Sequence, residues 1–216
     1  MKKIWMILTA LLLLSALLLS GAAAEEHDEG SSPGSRTIAE RLPRVRDIWD
    51  EKEAETYAIT LWPMISKDPL PEGSREINYD KRENSYHFMI LDENRCARYT
   101  ADFFSNGVVQ QLHSFDPDKT AETLELVTYR DVSELADGSW DAAREQISEQ
   151  VEKLDPGLLE LMDPLGLDCI RDTGDRQELT VFAAPLDPEW KTCLSIGAIL
   201  YPDNRCELKS FSLYAD

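Results

Sequence analysis

An α+β fold is what this sequence predicts, from two periodicities and their repetition. Apolar side chains recur every three or four residues in two places, the spacing of one helix face. Each place is followed by runs in which apolar side chains recur every second residue, the spacing of a strand with one buried face. The order, a helix and then four strand-like runs, comes twice, so the chain reads as two related units in tandem. They span residues 37–116 and 139–216, with a connector at 117–138.

In the first unit Thr37 offers an N-cap with Glu40 three residues on, the pattern of a capping box. Ile38, Leu42, Val45, Ile48 and Trp49 then follow as one helical face, which Pro43 kinks or reopens. Tyr57, Ile59 and Leu61 alternate as in a short strand, and Pro63, Pro69 and Pro71 turn the next stretch into a loop. Strands are expected at Arg75–Asp80, Ser85–Asp92, Arg95–Phe104 and Val108–Phe115. Asn106-Gly107 marks the hairpin between the last two.

In the second unit Ser139 caps a helix with a stripe of Trp140, Ala143, Ile147, Val151 and Leu154. Asp155-Pro156 stops it and opens a short helical turn through Leu158, Leu159 and Met162. Strands are expected at Leu167–Asp172, Gln177–Pro185, Lys191–Tyr201 and Arg205–Tyr214, with turns at 173–175 and 202–204. Aligned, Cys96 falls opposite Cys193, Ala101 opposite Ala198 and Phe103 opposite Leu200. Leu112, Ser114 and Phe115 fall opposite Leu208, Ser210 and Phe211, with one residue fewer in the intervening turn. In the connector, Thr123–Tyr129 fits either a strand or a helical turn.

Ahead of both units, Lys2 and Lys3 precede an uncharged apolar run that ends in Gly21-Ala22-Ala23-Ala24 before Glu25. That is the layout of a signal peptide cleaved after Ala24, and it places the rest outside the cytoplasm. The same run is long enough to stay as a membrane anchor, which needs about 20 residues. The mature chain is outside in both cases. Residues 25–36 carry no large apolar side chain and are expected to be a flexible acidic tether.

The formal net charge is −19. That charge repels phosphate backbones and anionic headgroups, which argues against nucleic-acid and membrane-surface partners beyond the leader. It is compatible with a cationic partner or divalent cations, and better accounted for by the plain solubility of an exported protein. Cys96, Cys169, Cys193 and Cys206 form no C-x-x-C. Lying in apolar strand-like runs, they are expected to be reduced or partly paired.

A helix laid across a curved antiparallel meander, given twice behind an export leader, resembles the cystatin-like units of bacterial exported PepSY-domain proteins. Trp140–Leu154, Gln177–Pro185, Lys191–Tyr201 and Arg205–Tyr214 carry the likeness, and Thr37–Phe115 fits it less closely because Pro63–Pro71 intervenes. The resemblance implies extracytoplasmic interaction or inhibitory modules linked to peptidases or the cell wall. It brings no catalytic residues.

Nucleophile-elbow, H-E-x-x-H, P-loop and dinucleotide patterns are absent, so no catalytic, cofactor-binding or metal-binding residue is assigned. His27 lies in the tether, while His87 and His113 alternate with apolar neighbours and should face water. A dyad of Cys96 with either histidine lacks an orienting third group. Asp92-Glu93 and Asp116-Pro-Asp118 read as solvated turns, the latter without the glycine and closing glutamate of a calcium loop. Trp49 and Trp140 lie on helical stripes and are expected in the core. Trp62 and Trp190, beside prolines, are the better candidates for exposed contacts, with packing as their default.

Three functions follow as expectations. The first is a non-enzymatic binding or inhibitory module with a protein or peptide partner. The second is an extracytoplasmic hydrolase with an unfamiliar pocket, and the third a membrane-anchored sensor if the leader is retained. A filled helix–sheet interface favours the first, and a deep pocket with convergent polar groups the second.

Overall fold

Alternation in the sequence becomes two chemically distinct faces of one sheet. A computed structural model describes residues 38–115, 128–130, 139–172, 176–190 and 192–215. The leader, the tether with His27, the Thr37 cap, Asp116, Asp118, the part of Thr123–Tyr129 before Thr128, the turn at 173–175 and Lys191 lie outside these residues.

The first long helix, α1, is Glu51–Ile65, not the stretch from Ile38 to Trp49. Residues 38–41 form a single helical turn, and Pro43 begins an irregular run that lasts to Asp50. The start of α1 is chemically clear. The Asp50 carboxylate accepts the Glu53 N–H, and the Glu53 carboxylate accepts the Trp49 N–H. Tyr57 and Leu61 are therefore helical. The buried face is Ala54, Tyr57, Ala58, Leu61, Trp62 and Ile65, spaced three and one. Pro63 sits inside the last turn, where the helix tolerates it and ends at Ser66.

Four strands follow: β1 (Ser74–Asp80), β2 (Ser85–Leu91), β3 (Ala97–Phe104) and β4 (Val109–Ser114). The short β5 (Thr128–Arg130) resolves part of the connector as a strand. Helix α2 is Ser139–Leu154 and buries Ala143, Ile147, Val151 and Leu154, the expected stripe, with Trp140 partly buried at its end. A 3₁₀ turn at Leu158–Leu161 leads to β6 (Gly166–Asp172) and β7 (Gln177–Ala183). A second 3₁₀ turn at Pro188–Trp190 precedes β8 (Thr192–Leu200) and β9 (Cys206–Ala215).

The strands form one antiparallel sheet in the order β1-β2-β3-β4-β9-β8-β7-β6-β5. The expectation of two separate helix–meander units is thereby modified. The two meanders meet edge to edge, with Gln111, Leu112 and His113 of β4 opposite Ser212, Phe211 and Ser210 of β9. One core, not two, runs beneath them. The alignment of the halves also breaks near the seam, because Phe115 is exposed whereas Phe211 is fully buried.

Register fixes which residues share a face. Ile77, Phe88, Ala101, Leu112, Phe211, Ile196, Val181 and Leu167 form one unbroken apolar row across eight strands. Both helices bury their stripes in the same cluster as this row. On the opposite face, one residue away on seven strands and past the bulge after Leu167 on β6, runs Glu76, Met89, Thr100, His113, Ser210, Gly197, Thr180 and Cys169.

Candidate functional site

The opposite face is the candidate site. Its middle is built from small and polar residues: Thr100, Gln111, Ser195, Gly197, Ser210 and Ser212, all half-buried. Exposed aromatic side chains stand around them, namely Phe115, Phe182 and Tyr214. His113 lies between, its ring stacked on Phe115 with centroids 5.8 Å apart.

Charge on this face is paired although the protein is strongly acidic. Glu76 accepts from Arg95 Nη2 at 2.7 Å. Glu178 holds Arg171 at 3.2 Å and Lys209 at 3.3 Å. Glu207 pairs with Lys67 and Arg205, and Asp102 with His87. The face thus combines ion pairs with scattered aromatic rings, and aromatic side chains are the feature it shares with protein-binding patches.

The two histidines of the face point outwards, as their alternation implies, and differ in electrostatics. The hydrogen bond from the Asp102 carboxylate raises the His87 pKa above its ordinary value, against some loss of hydration. Burial lowers that of His113, with Asp102 opposing. An imidazole oriented by a carboxylate is half of a general-base arrangement. Across the sheet, however, His87 lies between Asn78 and Asp102, with no serine, threonine or cysteine directly opposite it. Cys96 is not its partner. It sits exposed in the β2–β3 turn, outside any strand, with Sγ 3.9 Å from the Asn94 carbonyl.

The remaining sequence candidates are placed as follows. Cys193 and Cys206 are buried, Cys169 is half-buried on the open face, and all four thiols are free. Burial pushes the Cys206 pKa up to about 11, which keeps it an unreactive thiol. Asp92 organises its own turn, accepting the N–H groups of Asn94 and Cys96. Among the described residues no three of His, Cys, Asp and Glu are gathered so as to hold a metal ion. No helix among them is long and apolar enough to cross a membrane.

Trp49 reverses its expectation, and Trp62 and Trp190 pack as their default, not as exposed contacts. Trp49 is 76% exposed, while Trp62 and Trp190 are only 7% and 8% exposed. Trp49 leaves the core because helix α1 starts after it. Trp62 is on the buried face of α1 and donates its Nε1–H to the Asp68 carbonyl at 2.7 Å. Trp190 closes the Pro188–Trp190 turn beneath the Arg41 guanidinium, 4.7 Å from the ring.

One buried group had no sequence signal beyond a helix stop. Asp155 is fully buried, and its Oδ1 accepts the Val109 N–H at 2.8 Å while Oδ2 has no hydrogen-bond partner. Burial raises its pKa to about 8, the Val109 bond opposing, so the group is largely a neutral acid at pH 7. A scan of family models, a search of curated proteins and a search of solved structures return no match to this chain.

Proposed function

We propose that the protein is a non-enzymatic binding module that docks a folded protein partner on the open face of its sheet. The observation that carries this reading is the division of the sheet into an apolar row sealed by both helices and a charge-paired, aromatic-studded row left open. Eight strands about 4.8 Å apart give a face about 34 Å wide. With about 20 Å of strand length the area is roughly 700 Å², close to the ~800 Å² that each partner of a stable complex buries. The filled interface between helices and sheet supports a binder over a hydrolase.

On the same reading the chain is a fused tandem of PepSY-like units, exported behind residues 1–24. The repeated order of α1 with β1–β4 and α2 with β6–β9 supports the tandem. Intact mass of secreted material tests export, since a chain beginning at Met1 contradicts cleavage before Glu25.

Docking is tested by immobilising the protein and capturing partners from the extracytoplasmic fraction of its native cells. A Phe182→Ala/Tyr214→Ala pair removes two exposed rings without touching the core, and capture should be lost. Capture that survives this pair but falls with Glu145→Gln/Glu149→Gln on α2 contradicts the assignment to the sheet.

A further inference from the structure

A second feature lies away from the open sheet face. A cavity of about 830 Å³ sits at the start of α1, walled by Trp49, Tyr79 and Tyr86. It runs against a smaller one of about 300 Å³, with Arg44, Asp47, Asn84 and Ser105 common to both. The volumes are those of ligand sites, 300–1,000 Å³ being the usual range.

The aromatic wall is built. Tyr79 and Tyr86 lie 4.8 Å apart with their planes tilted by 36°, and the Tyr79 hydroxyl donates to Asn84 Oδ1 at 2.7 Å. Tyr86 is held against Phe103 from below, at 5.9 Å. Trp49 is pinned through its backbone N–H to Glu53, yet its ring is the most exposed large apolar side chain among the described residues. An indole carried on an anchored backbone and left open to water at a cavity mouth marks a contact surface.

Charge selects the ligand. Carboxylates of Glu40, Asp47, Asp50, Glu51 and Glu83 line the two cavities; Asp47 pairs with Arg44 at 2.9 Å and Asp50 caps α1, and Lys52 is the other cation. The excess acts on the aromatic wall. After burial and the neighbouring Tyr79, the carboxylates of Asp50, Glu51 and Glu53 are what push the Tyr86 phenol up. Aromatic faces under a negative field attract ammonium and guanidinium groups, with cation–π attraction adding to the Coulomb term.

We infer that this double cavity binds a basic, extended peptide segment, with an arginine or lysine side chain entering between Trp49 and Tyr79. The rest of the segment lies along the smaller, acidic cavity. The site is independent of the open sheet face and stands or falls separately from it.

The test is fluorescence anisotropy of a labelled tetra-arginine peptide titrated with the purified full chain at moderate salt. Labelled tetra-glutamate and a neutral chito-oligosaccharide serve as comparison ligands. Trp49→Ala and Tyr79→Ala change no charge and alter exposed side chains, and each should weaken tetra-arginine binding at least tenfold. Glu145→Gln/Glu149→Gln removes two charges from α2 at residues that line neither cavity, and should change it less than twofold. Three results overturn the inference. These are no measurable tetra-arginine binding, equal binding of the neutral oligosaccharide, and affinity that follows total charge while ignoring Trp49 and Tyr79.

Discussion

Gln150 stands beside Leu208 in the place of a missing strand. Its Oε1 accepts the Leu208 N–H at 3.1 Å, and its Nε2 donates to the Cys206 carbonyl at 3.1 Å. Gln146, one turn earlier, repeats the pattern with the Cys206 N–H and the Asn204 carbonyl, both at 2.9 Å. The reason is topological. Strand β4 reaches only Ser210–Ser212 of β9, so the first residues of β9 have an open edge, and two glutamines spaced i and i+4 on α2 close it. The start of β4 has the same problem, met by Asp155 on the Val109 N–H and by the Tyr57 hydroxyl on the Gly107 carbonyl.

Replacing Gln150 with leucine keeps the volume and strands one donor and one acceptor at a half-buried edge. Unfolding in urea should show a loss of about 1–3 kcal/mol. A Gln150→Leu variant as stable as the parent would mean that water or a shifted β4 satisfies those groups equally well.

Asp155 gives the protein a dependence on pH whose sign follows from its raised pKa of about 8. Between about pH 4 and pH 8 the folded chain holds a proton that the unfolded chain has released. Its contribution is therefore complete below pH 4 and is lost as pH rises through 8. At about 1.4 kcal/mol per unit, the loss is of order 5 kcal/mol. Asp155→Asn keeps an acceptor for Val109 and cannot ionise. The stability difference, parent minus variant, should fall steadily across that window, and parallel pH profiles would contradict a neutral Asp155.

The strands were legible because alternation is strict where one face is buried. Every run from Arg75 to Phe115 and from Leu167 to Tyr214 is found within about two residues of its expected ends. Helix α1 was not, because Tyr57, Ile59 and Leu61 imitate a period of two. The deciding residues are the small Ala54 and Ala58, whose burial a hydrophobic pattern underweights. Outward-facing His87 and His113 could be read from their neighbours. The β4–β9 seam could not, since it pairs residues about a hundred positions apart and each strand alone looks like an ordinary edge. Asp155 was hidden for the same reason, as its partner Val109 belongs to the other half.

The two described histidines should titrate on opposite sides of 6.5. His87, raised by Asp102, contributes stability that is complete below pH 6.5 and is lost as pH climbs through its higher folded value. His113 is lowered by burial, so it releases its proton earlier. Proton NMR of the imidazole C–H signals would resolve the two. Asp102→Asn should bring the His87 midpoint down while costing less than about 1 kcal/mol, because the pair is partly exposed. A His87 midpoint that does not move removes Asp102 as the cause.

Gly107 makes the strongest turn prediction, because two constraints coincide there. Its φ is +81°, in the left-handed region, and its N–H donates to the Phe104 carbonyl at 2.8 Å. Only Gly107 of the Asn106-Gly107 pair has a positive φ, so the hairpin takes the form with one left-handed glycine, not two left-handed residues. The run after Pro43 packs against this turn, with Val45 and Arg46 both donating to the Asn106 carbonyl at 3.1 Å. A β-carbon at Gly107 would fall 2.8 Å from the Arg46 nitrogen, which is backbone held in place by that bond. Gly107→Ala should thus cost the left-handed penalty of about 1–2 kcal/mol and more for the displaced segment. Asn106→Ala serves as the contrast, since it leaves both the φ and the contact intact and loses two side-chain bonds, the one donated to the Ala39 carbonyl and the one accepted from the Val108 N–H. If thermal unfolding ranked Asn106→Ala as the more damaging, the close approach of residues 43–49 to this turn would be wrong.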